Sequence, residues 1–489
     1  MIKLKSIDIQ KASIALLVVP VSEDTPLQTE PLTSMIEKAT GLNEFSGKQD
    51  EELMLYHLPN TNIERVLFLG LGTCKEIDRE KLRVFAGKAV RSGIKKKLSD
   101  IVIALPVNDA LPSNAADTVQ ILAEGAALAN HVFDKYKKEK KEKPLKQIIL
   151  ATDSATAKTH TSLVRRVKTI CDGTLLAREW VSTPSNEKTP DRFCKTILAL
   201  AKKTTLKATV LGPKELKAQK FGAILAVGAG SQHPSQLVCL EHAPRKSKHT
   251  ILLVGKGVTF DAGGINLKPS GSLEDMKIDM SGAAAVTATL LTVAKLALNT
   301  RVVGVMPLVE NMPSGSATRP GDIIRTYEGK TVEINNTDAE GRLILADAMA
   351  YALKTFQPDI MIDIATLTGA CVVALGEKIA GLFTRDEALA DLLTKAGGET
   401  HERLWRMPLP DDYKELLKSE TADISNISSS KWGGAITAAL FLSEFAGETR
   451  WAHIDIAGPA AVKKGHAYCN PGGTGFGVRL FCDFIERLP

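Results

Sequence analysis

The sequence predicts an α/β protein of two α/β domains, a smaller N-terminal one and a larger C-terminal one with a mixed central sheet covered by helices. Three observations lead there. At roughly 150 residues per domain, a chain of 489 residues holds two or three domains. Its composition, 44% hydrophobic and 24% charged, suits a chain able to bury a large core and excludes disordered and fibrous classes. Along its length, short apolar runs alternate with helix-period stretches, the pattern of strands interleaved with helices.

The opening segment MIKLKSIDIQKASIALLVVPV has an apolar run too short and too interrupted to span a membrane. It lacks the charged start, apolar centre and small-residue cleavage site of an export signal. A first β-strand is expected there, in a cytoplasmic protein without membrane contact. SIALLVV, RVLFLGLG, DIVIAL and QIILAT mark strands of a domain over residues 1–155. A helix is expected around Ala123–Tyr136, followed by KKEKKEKPLK, a charge run ended by Pro144 that reads as a solvated helix end and loop.

Residues 156–195 read as a helical connector. Helical spacing runs through SLVRRVKTICDGTLLAREWV until STPSNEKTP breaks it with Pro184 and Pro190. The larger domain follows over residues 196–489. Strands are expected at Ala208–Leu211, Ala223–Val227, Thr250–Val254, Val302–Val309, Ile360–Ile364 and Trp451–Ile456, and helices at Gly282–Leu296, Leu343–Thr355 and Ala435–Phe445. Such near-continuous apolar strands belong to a sheet covered on both faces.

A net charge of +6 over this length is mild and does not by itself indicate nucleic-acid binding. The seven cysteines are Cys74, Cys171, Cys194, Cys239, Cys371, Cys469 and Cys482. Odd in number, scattered and without a CxxC pair, they indicate reduced thiols rather than a disulfide framework or a cysteine zinc site.

Chemistry concentrates in three segments. In LLVGKGVTFDAGGINLKPS, residues 252–270, a buried strand runs into a glycine-rich loop holding Lys256, Asp261 and Lys268. The ends of such strands are where open α/β sheets place their sites, and glycines let backbone approach a ligand. The loop lacks the GxxxxGK[ST] order of a phosphate cradle. In LEDMKIDMSGAAAV, Asp279 stands just before a helix start, where an acid is also favoured simply by the helix dipole. In TVEINNTDAEGRLILADAMAYA, Asp338 and Glu340 at i and i+2 of an extended chain would point one way. Two carboxylates so placed repel unless a proton or cation lies between them. Arg342 could be that cation, in an ion-pair knot. A set of three or four carboxylates without a cysteine or histidine cluster points instead to a hard or borderline divalent ion, Mn²⁺, Mg²⁺ or Zn²⁺. Two ions roughly 3.5–4 Å apart are the usual solution in hydrolases. No HExxH or GxSxG occurs to suggest a zincin or a serine hydrolase.

NTDAEGRLILADAMAYA resembles the signature of the leucyl aminopeptidase family, peptidases that carry two metals on a doubly wound sheet. The resemblance continues through VGKGVTFDAGGINLKPS, IDIATLTGA, EKIAGLF, WRMPLPDDY, ADISNISSSKWGGAITAALFLSEFA, WAHIDIAG and GTGFGVRL, from about residue 176 to the C-terminus. The N-terminal third resembles the family's variable domain much more weakly. The resemblance implies that Asp261 and Glu340 bridge two divalent ions, Mn²⁺ or Zn²⁺. Asp338 would complete the more exchangeable site, and Asp279 with Lys256, as a neutral amine, the tighter one. It implies Lys268 at the oxyanion and Arg342 holding a bicarbonate as general base. Thr366 and Leu367 would line the cleft, and Met276, Ala457 and Ala460 the side-chain pocket.

The substrates implied are peptides with a free N-terminus, with leucine-like residues favoured, and the assembly implied is a homohexamer. Two departures stand out: FDAGG and INLKP, where the family more often has serine after the aspartate and before the leucine. Neither removes an implied ligand, and an indirect effect on the site is expected. Some bacterial members combine peptidase activity with DNA binding, and the lysines at 137–146 and Lys95–Lys97 are the features here that would serve it. A metal-dependent phosphoesterase would use the same carboxylates, without explaining the long peptidase-like segments.

Overall fold

The apolar N-terminal segment forms two strands rather than one, Ile2–Ser6 and Leu17–Val21, in the computed structural model, which describes residues 1–41, 44–106, 111 and 113–488. They belong to a six-stranded sheet ordered Ile2–Ser6, Gln147–Thr152, Asp100–Ala104, Leu17–Val21, Arg65–Gly70, Glu52–Tyr56. All neighbours run parallel except the edge strand Glu52–Tyr56. The helix expected around Ala123–Tyr136 lies earlier, at Ala115–Ala129, with Asn114 capping its start by accepting from Asp117 N. It stops because Asn130 turns its amide onto Leu145, accepting from the backbone N at 2.7 Å and donating to the backbone O at 2.9 Å. Between these anchors the lysine-rich run is exposed loop.

The expected connector holds one long helix, Ser154–Ser182, ended where Pro184 follows, and the start of a second, Pro190–Ala201, which runs past residue 195. The chain divides inside the long helix. Met1–Asp172 with Lys464–Pro471 forms one unit, and Gly173–Lys463 with Gly472–Pro489 the other.

The second unit is built on a nine-stranded mixed sheet. Its path runs Leu404–Arg406, Ala380–Phe383, Arg450–Asp455, Ile360–Ala365, Thr250–Gly255, Arg301–Asn311, Gln236–His242, Lys207–Leu211, and Gly257–Asp261 adds to Arg301–Asn311. The four central strands, from Arg450–Asp455 to Arg301–Asn311, are mutually parallel. Alternation along each strand feeds two cores. Ile251, Leu253, Ile362, Ile364 and Ile454 share one with the helices Ser281–Leu296 and Val478–Arg487. Leu252, Val254, Met361 and Trp451 share the other with the helices Gly341–Phe356 and Gly434–Ser443.

One expected strand is a helix. Ala223–Val227 lies within the short helix Gly222–Val227, because the buried carboxylate of Asp347 accepts the N–H groups of Ala223 and Ile224 at 2.9 and 3.0 Å. A five-residue apolar run cannot by periodicity be told from a helical turn. The strands Gln236–His242, Ala380–Phe383 and Leu404–Arg406 were not anticipated, and the last two are only 4 and 3 residues long. All seven cysteines are buried free thiols, and burial pushes those of Cys239 and Cys371 up to about 12. Among the described residues no helix is long and apolar enough to cross a membrane.

Asp347 also accepts from Tyr327 N at 2.7 Å, yet burial outweighs its three donors and pushes its pKa up to about 7. A carboxyl raised in the folded state favours folding while protonated, and this stabilisation is lost as pH climbs from about 4 to about 7. Asp347→Asn is therefore expected to remove a fall of up to roughly 4 kcal/mol across that window. Denaturant titrations of both proteins at several pH values check it. Parallel pH profiles would refute the assignment.

Candidate metal centre

The strands Thr250–Gly255 and Gly257–Asp261 share one register against Arg301–Asn311 as far as Val258, with Val254 opposite Val305 and Gly257 opposite Leu308, before a shift that sets Asp261 opposite Asn311. Lys256 stands between them at the C-terminal side of the parallel sheet. Its backbone N donates to Ile364 O at 3.1 Å, and its O accepts from Ala283 N at 2.8 Å, joining the sheet to the helix Ser281–Leu296. Its side chain runs over Gly341, where a Cβ would lie 2.6 Å from Lys256 Cε. The Nζ ends 2.8 Å from both Asp279 Oδ1 and Glu340 Oε1 and donates to Thr366 O at 2.8 Å. Lys256, Asp279 and Glu340 are only 3%, 5% and 2% exposed.

Burial by itself favours a neutral amine on Lys256, but Asp279, Glu340 and Asp261 outweigh it and hold the ammonium charged. Burial also raises Asp279 and Glu340 above the usual carboxylate range, and their neighbouring carboxylates add to the effect.

The second half of the centre comes from two loops. After Asp261, Gly263 and Gly264 take left-handed backbone (φ 87° and 65°), and the loop turns back until Lys268 N donates to Ala262 O at 3.0 Å. This delivers Lys268 Nζ to 2.8 Å from Asp261 Oδ2 and 2.5 Å from Asp338 Oδ1. The loop carrying Asp338 is laced to it. Thr337 Oγ1 donates to Gly263 O at 2.6 Å, Asn266 N donates to Thr337 Oγ1 at 2.9 Å, and Thr337 N donates to Asn266 Oδ1 at 2.8 Å. Asn266, at one of the two positions read as departures from the family pattern, takes part in this lacing with both its backbone N and its side-chain Oδ1.

Asp261, Asp338 and Glu340 thereby offer oxygens that all lie within 4.8 Å of one another. Their convergence does not come from an extended chain. Asn336–Ala339 is a turn, with Ala339 N donating to Asn336 O at 3.2 Å, and Glu340 is already helical in φ and ψ at the start of Gly341–Phe356. Asp279 Oδ2 is buried without a hydrogen-bond partner, and Asp338 Oδ1 lies beside Lys268 without hydrogen-bond alignment. Four carboxylates against two ammonium groups leave a formal charge of −4 + 2 = −2, in an all-oxygen and amine donor set. Such a set fits hard or borderline divalent cations.

Arg342 is not the cation of this cluster. It makes no ion pair with Asp338 or Glu340, and its Nη1 donates to Asn426 O at 2.9 Å. Burial draws its pKa down to about 10, and Nε is buried without a partner.

Of the residues expected at the substrate cleft, Thr366 reaches the centre, its Oγ1 donating to Asp279 Oδ1 at 2.7 Å. Leu367 N and Ala457 N both donate to Asp455 Oδ1, at 3.1 and 3.0 Å, so one buried carboxylate pins the two segments together. Met276 is half-buried in the turn Leu273–Ile278, whereas Ala460 belongs to the apolar cluster that holds Ile454 and Phe476. Sequence reasoning missed the polar residues that hold the loops: Asn311, Thr337, Asn426 and Asp455. The signal for Asn311 and Asp455 was a polar residue at the C-terminal end of a largely buried strand.

Family models match over most of the chain, the catalytic domain of the cytosol aminopeptidase family at residues 175–482 and its N-terminal domain at 18–140. The chain belongs to the cytosol aminopeptidase family. It is 42% identical to a protein named "Probable cytosol aminopeptidase" of Geobacter sp. (strain M21), over 91% of this chain and 90% of that one. It is also 42% identical to one of the same name from Syntrophotalea carbinolica, over 95% and 94%. Among solved structures, the bottromycin maturation enzyme BotP in complex with Mn is similar with a TM-score of 0.86 and 34% identity, over 97% of this chain and 99% of that one. Membership of the cytosol aminopeptidase family supports a metal-dependent aminopeptidase, a peptidase acting on peptides, and gives a DNA-binding role no support.

In this candidate centre Lys256 is the ammonium paired with Asp279 and Glu340. Lys256→Met should destabilise the chelator-treated protein by about 3–5 kcal/mol, the cost of leaving buried charges unpaired. The loss should shrink at lower pH, where those two raised carboxyls take up protons. Thermal unfolding at pH 5 and pH 8 checks both parts. An unchanged midpoint at pH 8 would contradict the pairing.

Proposed function

We propose that the chain is a two-metal aminopeptidase that hydrolyses the N-terminal peptide bond of peptides, favouring leucine-like first residues. The observation that carries the reading is the convergence of Asp261, Asp338 and Glu340 oxygens within 4.8 Å, beside the Lys256–Asp279 pair. Asp261 and Glu340 would lie between two divalent ions, Mn²⁺ or Zn²⁺, with Asp338 completing one site and Lys256 with Asp279 the other. Bound there, the ions acidify water and polarise a carbonyl. To serve as a ligand Lys256 must release its Nζ proton, which the added positive charge favours.

The chain's own groups account for exopeptidase action. Asp279 Oδ2, buried and unpartnered, accepts the α-ammonium of a substrate, so a blocked N-terminus loses its anchor. Lys268 keeps its proton, because Asp261 and Asp338 outweigh its burial, and its Nζ stabilises the oxyanion formed at the scissile carbonyl. Arg342, with Nε unpartnered, would hold a small anion such as bicarbonate, which supplies general-base chemistry. Thr366 and Leu367 line the cleft, and Met276, Ala457 and Ala460 shape the pocket for the first side chain. A homohexamer in the cytoplasm is part of the same reading, and a monomer in light scattering would remove it.

Hydrolysis of leucine amide by protein stripped of metal and reloaded with Mn²⁺ or Zn²⁺ tests the proposal. Activity should return on loading, spare N-acetyl-leucine amide, and be lost in Asp338→Ala. Lys268→Ala should lower kcat by about a hundred- to thousandfold. A loaded protein inert toward free-amine substrates but active on a phosphate ester would overturn the reading.

A further inference from the structure

We infer that Asn311 is a positioning residue of the metal centre, whose side-chain amide fixes Asp261 and the loop of Asp338 and Glu340 in the arrangement that takes up a divalent cation. The inference rests on the two-metal reading above.

Asn311 closes the strand Arg301–Asn311 and is the ladder partner of Asp261, with Ala262 N donating to its backbone O at 2.9 Å. Its Nδ2 donates to Asp261 Oδ1 at 2.9 Å and to Thr337 O at 3.0 Å. Both acceptors are unable to donate, so the amide must present its nitrogen to them. The residue is 4% exposed. A buried amide is tolerated only where its protons find acceptors, and here both do, on the two loops that carry the carboxylates. Gly264 leaves the space this needs, since a Cβ there would lie 2.8 Å from Asn311 Oδ1.

The consequence falls on Asp261. Its Oδ1 accepts from Gly263 N as well as from Asn311 Nδ2, which uses both lone-pair directions of that oxygen. Oδ2 is therefore the oxygen turned toward Lys268 Nζ. Without the amide, the carboxylate is free to rotate, and Thr337 O loses its tie to the strand, one residue before Asp338. Outer partners that orient a ligand in this way typically change metal affinity ten- to a hundredfold when removed.

The test uses the full chain, stripped with chelator and titrated with Mn²⁺ by calorimetry. Asn311→Ala and Asn311→Leu remove both donors, and leucine keeps the volume. Thermal unfolding of the stripped proteins reports whether each variant folds. Mn²⁺ affinity is expected to fall about ten- to a hundredfold in both while cooperative unfolding is retained. Asn311→Ser, which keeps one donor, stands in if the apolar variants do not fold, and the same loss of affinity is read from it. Affinity within threefold of wild type in the folded variants overturns the inference alone. A wild-type protein that takes up no Mn²⁺ overturns the two-metal reading, and this inference with it.

Discussion

Four carboxylates brought to one place, three of them buried, is the condition that the second unit is organised around. Two carboxylates with oxygens 4.8 Å apart repel by roughly 3 kcal/mol at an effective dielectric of about 20, and burial adds the loss of hydration. Such a cluster persists only if positive charge is supplied and the backbone leaves the groups nowhere else to go. Lys256 and Lys268 supply the charge, each set between two carboxylates at distances from 2.5 to 2.8 Å. The remaining formal charge of −2, the difference between four carboxylates and two ammoniums, fits a divalent cation there.

The backbone meets the second condition with strand ends and buried amides. The parallel strands holding Lys256, Asp261, Asn311 and Asp455 end on one side of the sheet, so their terminal residues face a common region. Asn311 joins the loops of Asp261 and Asp338, and Asn426 holds the turn before Asp338 by donating to Asn336 O and accepting from Asn335 N. Asp455 does the same for the segments of Leu367 and Ala457. These three groups are buried, and each is hydrogen-bonded to more than one residue around the cluster.

Much of this was legible locally. Apolar runs marked the parallel strands because a strand covered on both faces has no polar face to interrupt it. The glycines after Asp261 and before Asn266 marked a loop of close backbone approach. Legibility failed where a distant residue decided the outcome. Ala223–Val227 became helical because Asp347, far along the chain, accepts its first N–H groups. The helix before the lysine-rich loop stopped at Asn130 because that side chain grips Leu145.

By itself the sequence determined that this is a two-domain α/β protein with three short segments rich in carboxylates and lysines, and the length of those segments identified the family. It left open which cation answers which acid, since Arg342 stood nearest in sequence to Asp338 and Glu340. Only the tertiary structure decided that Lys256 faces Asp279 and Glu340, that Lys268 faces Asp261 and Asp338, and that Arg342 turns to Asn426. The physical reason is that pairing follows distance in space. The crossing of parallel strands brings together charges far apart in the chain, while the helix beginning at Gly341 carries Arg342 away from its sequence neighbours.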